Sequence, residues 1–121
     1  MARTFKNPNP LRIKLIEDLK NFNADKDYGI WNAVIKELSR SRKNARTVNL
    51  WKINKYSNEG DVIVVPGKVL GQGEISHKVT IAAFEFSEGM KQKATNNNVR
   101  LMSIYELFNE NPKGTNVKII G

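Results

Sequence analysis

The sequence predicts an α/β protein in which a basic, helical front half leads into a mainly parallel sheet, and three observations predict it. VIVV at 62–65 and VTIAAFEF at 79–86 are nearly continuous apolar runs, the pattern of strands covered on both faces. Earlier segments instead repeat their apolar residues at helical spacing. Charge divides the chain in the same place. Residues 1–58 carry 13 Lys and Arg against 5 Asp and Glu, a net of +8, whereas residues 59–121 carry 7 of each. A chain of 121 residues fits one compact domain with a real core.

The helical half begins in NPNPLRIKLIEDLKNF. Asn9 is placed to cap and Pro10 to open the helix, and Leu11, Leu15, Leu19 and Phe22, with Ile16 beside them, form the packing face. Arg12, Lys14, Glu17 and Lys20 are expected to stay wet. A second helix is predicted in YGIWNAVIKELS, 28–39, capped by Asp25 or Asp27 and packing through Ile30, Trp31, Val34, Ile35 and Leu38. RSRKNAR, 40–46, holds four cationic residues in seven and no apolar anchor larger than alanine, so it reads as a loop or a frayed helix end. A third helix is predicted over 47–56 with Thr47 as its cap. Asn49, Lys52 and Lys55 share one side of it, and Val48, Leu50 and Trp51 cover much of the rest.

From Glu59 strands and short helices alternate. Ser87 caps a helix in SEGMKQKA, Asn96 to Asn98 form a loop tip, and VRLM at 99–102 is a strand. Ser103 and Glu106 have capping-box spacing for a helix that runs to about Glu110 and stops at Asn111 and Pro112. NPKGT turns the chain into a last strand, VKII.

VVPGKVLGQG, 64–73, has the glycines and lysine of a phosphate loop but not their spacing. A Walker loop ends in Gly-Lys-Ser/Thr and opens a helix; here Gly67-Lys68 comes first, no Ser or Thr follows, and the chain leads on to a strand. The glycines suit a tight strand-turn-strand in which one backbone approaches another, of protein or nucleic acid. Other chemistry is excluded on composition. The chain has no cysteine and one histidine, His77, expected as a turn residue, so neither a thiolate nucleophile nor an ordinary zinc or iron site can be assembled. No cofactor is expected. Glu17 and Asp18 point to different sides of a helix, Asp25 and Asp27 lie in a polar loop, and no nucleophile elbow accompanies His77. The aromatics lack an exposed alternating array, and Trp31 and Phe84 are expected in the core. No apolar run approaches the roughly 20 residues of a spanning helix, so a soluble, cytosolic chain is expected, with no membrane partner and no small-molecule substrate. A positive excess gathered in one half favours a polyanion, nucleic acid first.

NPNPLRIKLIEDL, VNLWKI, VVPGKVLGQG, VTIAAFEFS and NENPKGTNVKIIG, in that order over nearly the whole chain, resemble the large-subunit ribosomal protein eighteen-e family, the archaeal and eukaryotic relative of bacterial large-subunit protein fifteen. The resemblance implies an irregular superhelix of strand-strand-helix turns preceded by a basic helical portion on ribosomal RNA. It also implies a structural place in the large subunit beside neighbouring ribosomal proteins. Ending at Gly121 without a longer basic extension, the chain resembles archaeal members. Residues 1–58 then form the RNA-binding portion and 59–121 the neutral α/β core portion of a single domain. The RNA contacts it implies are Arg40, Arg42, Lys43, Asn44, Arg46, Asn49 and Lys52, followed by Lys6, Asn7, Arg12 and Lys68, with Gly67, Gly71 and Gly73 supporting the turn. An alternative is a DNA-binding regulator, in which helices 28–39 and 47–56 and the segment between them imitate a helix-turn-helix.

Overall fold

The computed structural model describes residues 10–40 and 47–121. Lys6, Asn7, Asn9, Arg42, Lys43, Asn44 and Arg46 lie outside them, and so does most of RSRKNAR. The chain divides into two compact units, Met1–Asn44 and Ala45–Gly121.

In the first unit, α1 (Pro10–Asn23) and α2 (Gly29–Arg40) pack on each other. Leu15 and Leu19 meet a stripe of Trp31, Val34 and Leu38, all buried, while Phe22 sets its edge against Trp31 with ring centroids 6.4 Å apart. Leu11, expected on the packing face, is exposed. The connection is organised by a residue the sequence reading passed over. Buried Asn23 donates to the Tyr28 carbonyl at 3.1 Å and to Asn32 Oδ1 at 2.9 Å, and accepts from the Tyr28 amide at 2.9 Å. Asp27, at φ 53°, takes the Asn32 side-chain amide at 2.7 Å. Arg12 is not a wet side chain either. Its Nε and Nη2 donate to the Leu38 carbonyl at 3.0 and 2.8 Å, satisfying one of the last carbonyls of α2 with a cation at the negative end of the helix. Burial lowers its pKa from the ordinary arginine value, and the guanidinium stays charged.

The second unit is built on a wholly parallel five-stranded sheet, as the continuous apolar runs predict. Its long strand, β2 (Val62–Leu70), has β3 (Thr80–Phe86) and then β4 (Arg100–Ser103) on one side. Its other edge is shared. β1 (Thr47–Asn49) pairs with the end of β2, Val48 beside Val69, and β5 (Val117–Ile119) with its beginning, Ile63 beside Lys118. Successive side chains alternate between faces. Ile63, Val65, Val69, Ile81 and Ala83 form one core with Leu50 and Ile53 of α3 (Leu50–Tyr56) and with Met90 and Ala94 of α4 (Glu88–Asn97). Val64, Ala82 and Met102 lie between those positions in the register and are buried too; α5 (Ile104–Glu110) packs against β3 and β4 with Ile104, Leu107 and Phe108 buried.

Two of the expected caps form, at Ser87 and Ser103. Ser87 Oγ accepts from the Met90 amide at 3.1 Å, and the Ser103–Glu106 capping box closes in both directions, at 3.0 and 2.8 Å. Asn96 and Asn97, expected in a loop tip, instead complete the last turn of α4, and Asn98 at φ 56° is its left-handed C-cap. Two other segments also differ. The helix expected from Thr47 starts only at Leu50, because Thr47 and Val48 find a strand partner in Lys68 and Val69, and pairing to a sheet outweighs a weak local helical preference. The turn expected at Gly67 is also absent, since β2 runs on to Leu70. Pro66 cannot donate to a ladder, and the strand accommodates it by a bulge: Pro66 and Gly67 oppose the single residue Phe84 between the pairs Val65–Ala83 and Lys68–Glu85. The extra residue brings Phe86, not Ser87, beside Val69.

Candidate nucleic-acid interface

β1 and α3 place the described part of the predicted interface. Leu50 and Ile53 are buried under the helix and fix which side faces out. The outward side carries Lys52, Lys55, Trp51 and Tyr56 and no acidic residue. Trp51 is 52 % exposed and Tyr56 54 % exposed, the only aromatics among the large exposed apolar side chains of the described residues. Sequence reading missed both as surface groups, because helical spacing shows that a face is apolar but not which side the sheet covers. Lys55 Nζ lies 5.4 Å from the centroid of the Tyr56 ring. Lys52 Nζ reaches the Gly121 carbonyl at 3.4 Å, a long bond that leaves most of its donor capacity open. Asn49 precedes the helix in the N-cap position but makes no side-chain cap bond, and its Oδ1 is buried without a partner.

The glycine turn behind α3 is a matter of protein backbone. A Cβ on Gly73, which sits at φ 105°, would lie 2.5 Å from Trp51 Cβ and 2.7 Å from its amide nitrogen. A Cβ on Gly71 would lie 2.7 Å from the carbonyl carbon of Gly89, at the start of α4. Between them the Gln72 carbonyl accepts from the Trp51 amide at 3.0 Å, and Lys93 Nζ bonds the Gly73 carbonyl and pairs with Glu74 at 3.2 Å. The two glycines therefore let one short turn press against the first turns of two helices. His77 lies in the same connection, as expected of a turn residue, with Nε2 2.7 Å from Ser57 Oγ and Nδ1 3.3 Å from Ser76 Oγ.

Two open depressions flank this region. One, of about 470 Å³, is bounded by Lys52 and Tyr56 of α3 and by Lys118, Ile119, Ile120 and Gly121. Lys118 also pairs with Asp61 at 2.9 Å; the Asn58 amide first, and Lys118 second, hold that carboxyl below the usual aspartate range. The other, about 680 Å³, lies at the carboxyl ends of β2, β3 and β4, the place where parallel sheets commonly take ligands. Phe84, expected in the core, is half-buried on its wall. Glu85, Glu88 and Glu106 outnumber Lys68 and Lys91 there, so Lys68 stands on a surface of mixed charge that is poorly suited to a bound phosphate. Among the described residues no cluster of histidine, cysteine or carboxylate side chains could hold a metal ion, and no helix is long and apolar enough to cross a membrane.

The structure thus gathers Asn49, Lys52, Lys68, Gly67, Gly71 and Gly73 in the second unit, and Arg12 and Arg40 in the first. Nothing among the described residues favours the helix-turn-helix alternative, since β1 precedes α3 and α3 is tied to the sheet core. No protein-family model matches the chain. Individual proteins do. The chain is 45 % identical over 105 residues to large ribosomal subunit protein eL18 of Thermoplasma acidophilum, covering 87 % of this chain and 88 % of that one. Proteins of the same name from Methanospirillum hungatei and Methanoregula boonei are 39 % and 40 % identical over 120 residues, covering 99 % of each chain. The chain belongs to the eL18 family. A parallel sheet preceded by helices agrees with the α/β class that the sequence predicts for this eL18 protein. In this eL18 chain the glycine segment, which most resembles a nucleotide loop, is a bulged strand and a backbone-packing turn.

Proposed function

We infer that the chain is a structural constituent of the large ribosomal subunit, in the cytoplasm, where it binds large-subunit ribosomal RNA and steadies it beside neighbouring ribosomal proteins. The observation that carries this is its likeness, over 99 % of its length, to proteins named as large ribosomal subunit components. The work is assembly and not turnover: the Walker spacing is missing, and carboxylates dominate the groove at the strand ends. RNA helices repel one another through their phosphates, and cations placed where they converge lower the cost of packing them.

The contacts fall into three kinds. Arg40, Arg42, Lys43 and Arg46, with Asn44 among them, supply the concentrated charge, the arginines clamping phosphates with their planar forks. Lys52 adds point charge on α3, and Asn49, whose oxygen is buried, offers its amide as a donor to a ribose or base acceptor. Lys6, Asn7, Arg12 and Lys68 are secondary, Arg12 contributing charge while its Nε and Nη2 hold Leu38. Gly67, Gly71 and Gly73 act through the shape of the segment they support.

Replacing Arg40, Arg42, Lys43 and Arg46 together by alanine should weaken RNA binding and flatten its salt dependence by roughly 0.7–0.9 log units for each phosphate that the variant no longer neutralises. An unchanged salt slope in filter-binding titrations would remove the cationic segment from the interface. Calorimetry with ATP and GTP checks the non-enzymatic reading, which a saturable micromolar isotherm would overturn.

A further inference from the structure

We propose that the depression between α3 and β5 is a subsite for one unpaired nucleobase, stacked on Tyr56, with Lys52 and Lys118 meeting the phosphates on either side. This rests on the RNA-binding reading and goes beyond it, because it names the kind of RNA taken here: an unstacked single-stranded nucleotide and not a duplex backbone.

Three features of the surface converge on that occupant. Tyr56 is a large ring left 54 % exposed at the end of a helix that already turns Leu50 and Ile53 to the core, so the fold does not need it covered. The ring borders an open depression of about 470 Å³, with Ile119 and Ile120 lining it, which gives an apolar surface of the size a flat heterocycle can use. The charged groups at its rim are Lys52 and Lys118, and Lys55 stands over the Tyr56 ring itself. Asp61 answers Lys118 at 2.9 Å, while Lys52 holds only the long 3.4 Å bond to the Gly121 carbonyl. An aromatic face between cations matches a base between phosphates. A duplex presents stacked bases and could offer this ring nothing but backbone.

The depression at the carboxyl ends of β2–β4 also has aromatic walls, in Phe84 and Phe86, but its rim sets three glutamates against Lys68 and Lys91 and suits a nucleotide less well. One rim is of mixed charge and the other cationic, and the cationic one borders the helix that follows the cationic segment in sequence.

The test uses the full chain and three RNA probes of equal length: single-stranded oligoadenylate, an abasic strand and a duplex. Tyr56→Ala should weaken oligoadenylate binding about 5- to 150-fold, the range for removing one stacked base. It should leave the abasic strand and the duplex unaffected and the salt slope unchanged. Tyr56→Phe should restore oligoadenylate affinity, since the ring and not the hydroxyl carries the stack. Lys52→Ala should instead lower the slope for every probe by about 0.7 per phosphate left without its cation. If the wild-type chain binds RNA with a normal salt slope but Tyr56→Ala binds oligoadenylate equally well, the subsite is wrong and the RNA reading stands. Tyr56 shielded in the assembled subunit, together with that same indifference, would assign the depression to a protein neighbour. No binding of any RNA at low salt would overturn both readings. Thermal melts of Tyr56→Ala and Tyr56→Phe separate a folding defect from a binding one.

Discussion

Two seven-residue helices, α3 and α5, leave the same sheet directly after a strand, and they are finished in opposite ways. α5 opens with a closed capping box, has an acid in its first turn, buries Ile104, Leu107 and Phe108, and sets Tyr105 against Phe108 with ring centroids 5.6 Å apart. α3 has no side-chain cap bond and no acid in its first turn. It leaves Asn49 Oδ1 buried without a partner and holds Trp51 and Tyr56 half in solvent between two lysines. Each feature of α5 supports folding. The groups α3 leaves open, namely ring faces, ammonium donors and an amide, are the ones single-stranded RNA can satisfy.

What was legible in the sequence follows the same line. Features whose cause is local came through: the Ser103–Glu106 box, the Ser87 cap and the apolar strands are each stated by a few adjacent residues. Features whose cause lies in a distant segment did not. Thr47–Asn49 is a strand only because Lys68–Leu70 lies beside it. Gly73 is required by the backbone of Trp51, and Arg12 is held by a carbonyl 26 residues away. Trp51 and Tyr56 could not be told from core residues until the sheet was in place to show which side of α3 it covers. The RNA contacts proposed from the resemblance rest on sequence alone, and Lys6, Asn7, Arg42, Lys43, Asn44 and Arg46 among them lie outside the described residues.

The contrast between a helix finished for folding and one proposed to bind RNA can be broken at several points. The largest effect should come from the sheet beneath both. Ile81 is fully buried in β3, and Ile81→Ala should cost about 2–5 kcal/mol through reduced burial and a residual cavity. Denaturant melts should show it as a lower midpoint at unchanged slope. A loss under about 1 kcal/mol would mean that the sheet core is looser than its burial indicates. The next effect belongs to α5. Ser103→Ala removes the acceptor of the Glu106 amide and should cost about 1 kcal/mol, with RNA affinity unaffected.

The smallest change in stability is the most informative about α3. Asn49 occupies the position that Ser103 occupies in α5, so a simple rule of helix capping would assign Asn49→Ala the same cost. The structure argues otherwise. The side chain makes no bond to the first turn, so none is removed, and the substitution deletes a buried oxygen that has no partner. Asn49→Ala should therefore stay within about 0.5 kcal/mol of the wild-type stability, on either side of zero. Its effect should appear instead as weaker RNA binding at unchanged salt slope, because an amide donor and not a charge has gone. Parallel melts and titrations of Asn49→Ala and Ser103→Ala decide the matter. If both variants lose about 1 kcal/mol and neither changes RNA affinity, Asn49 caps α3 in solution, and the two helices are finished alike.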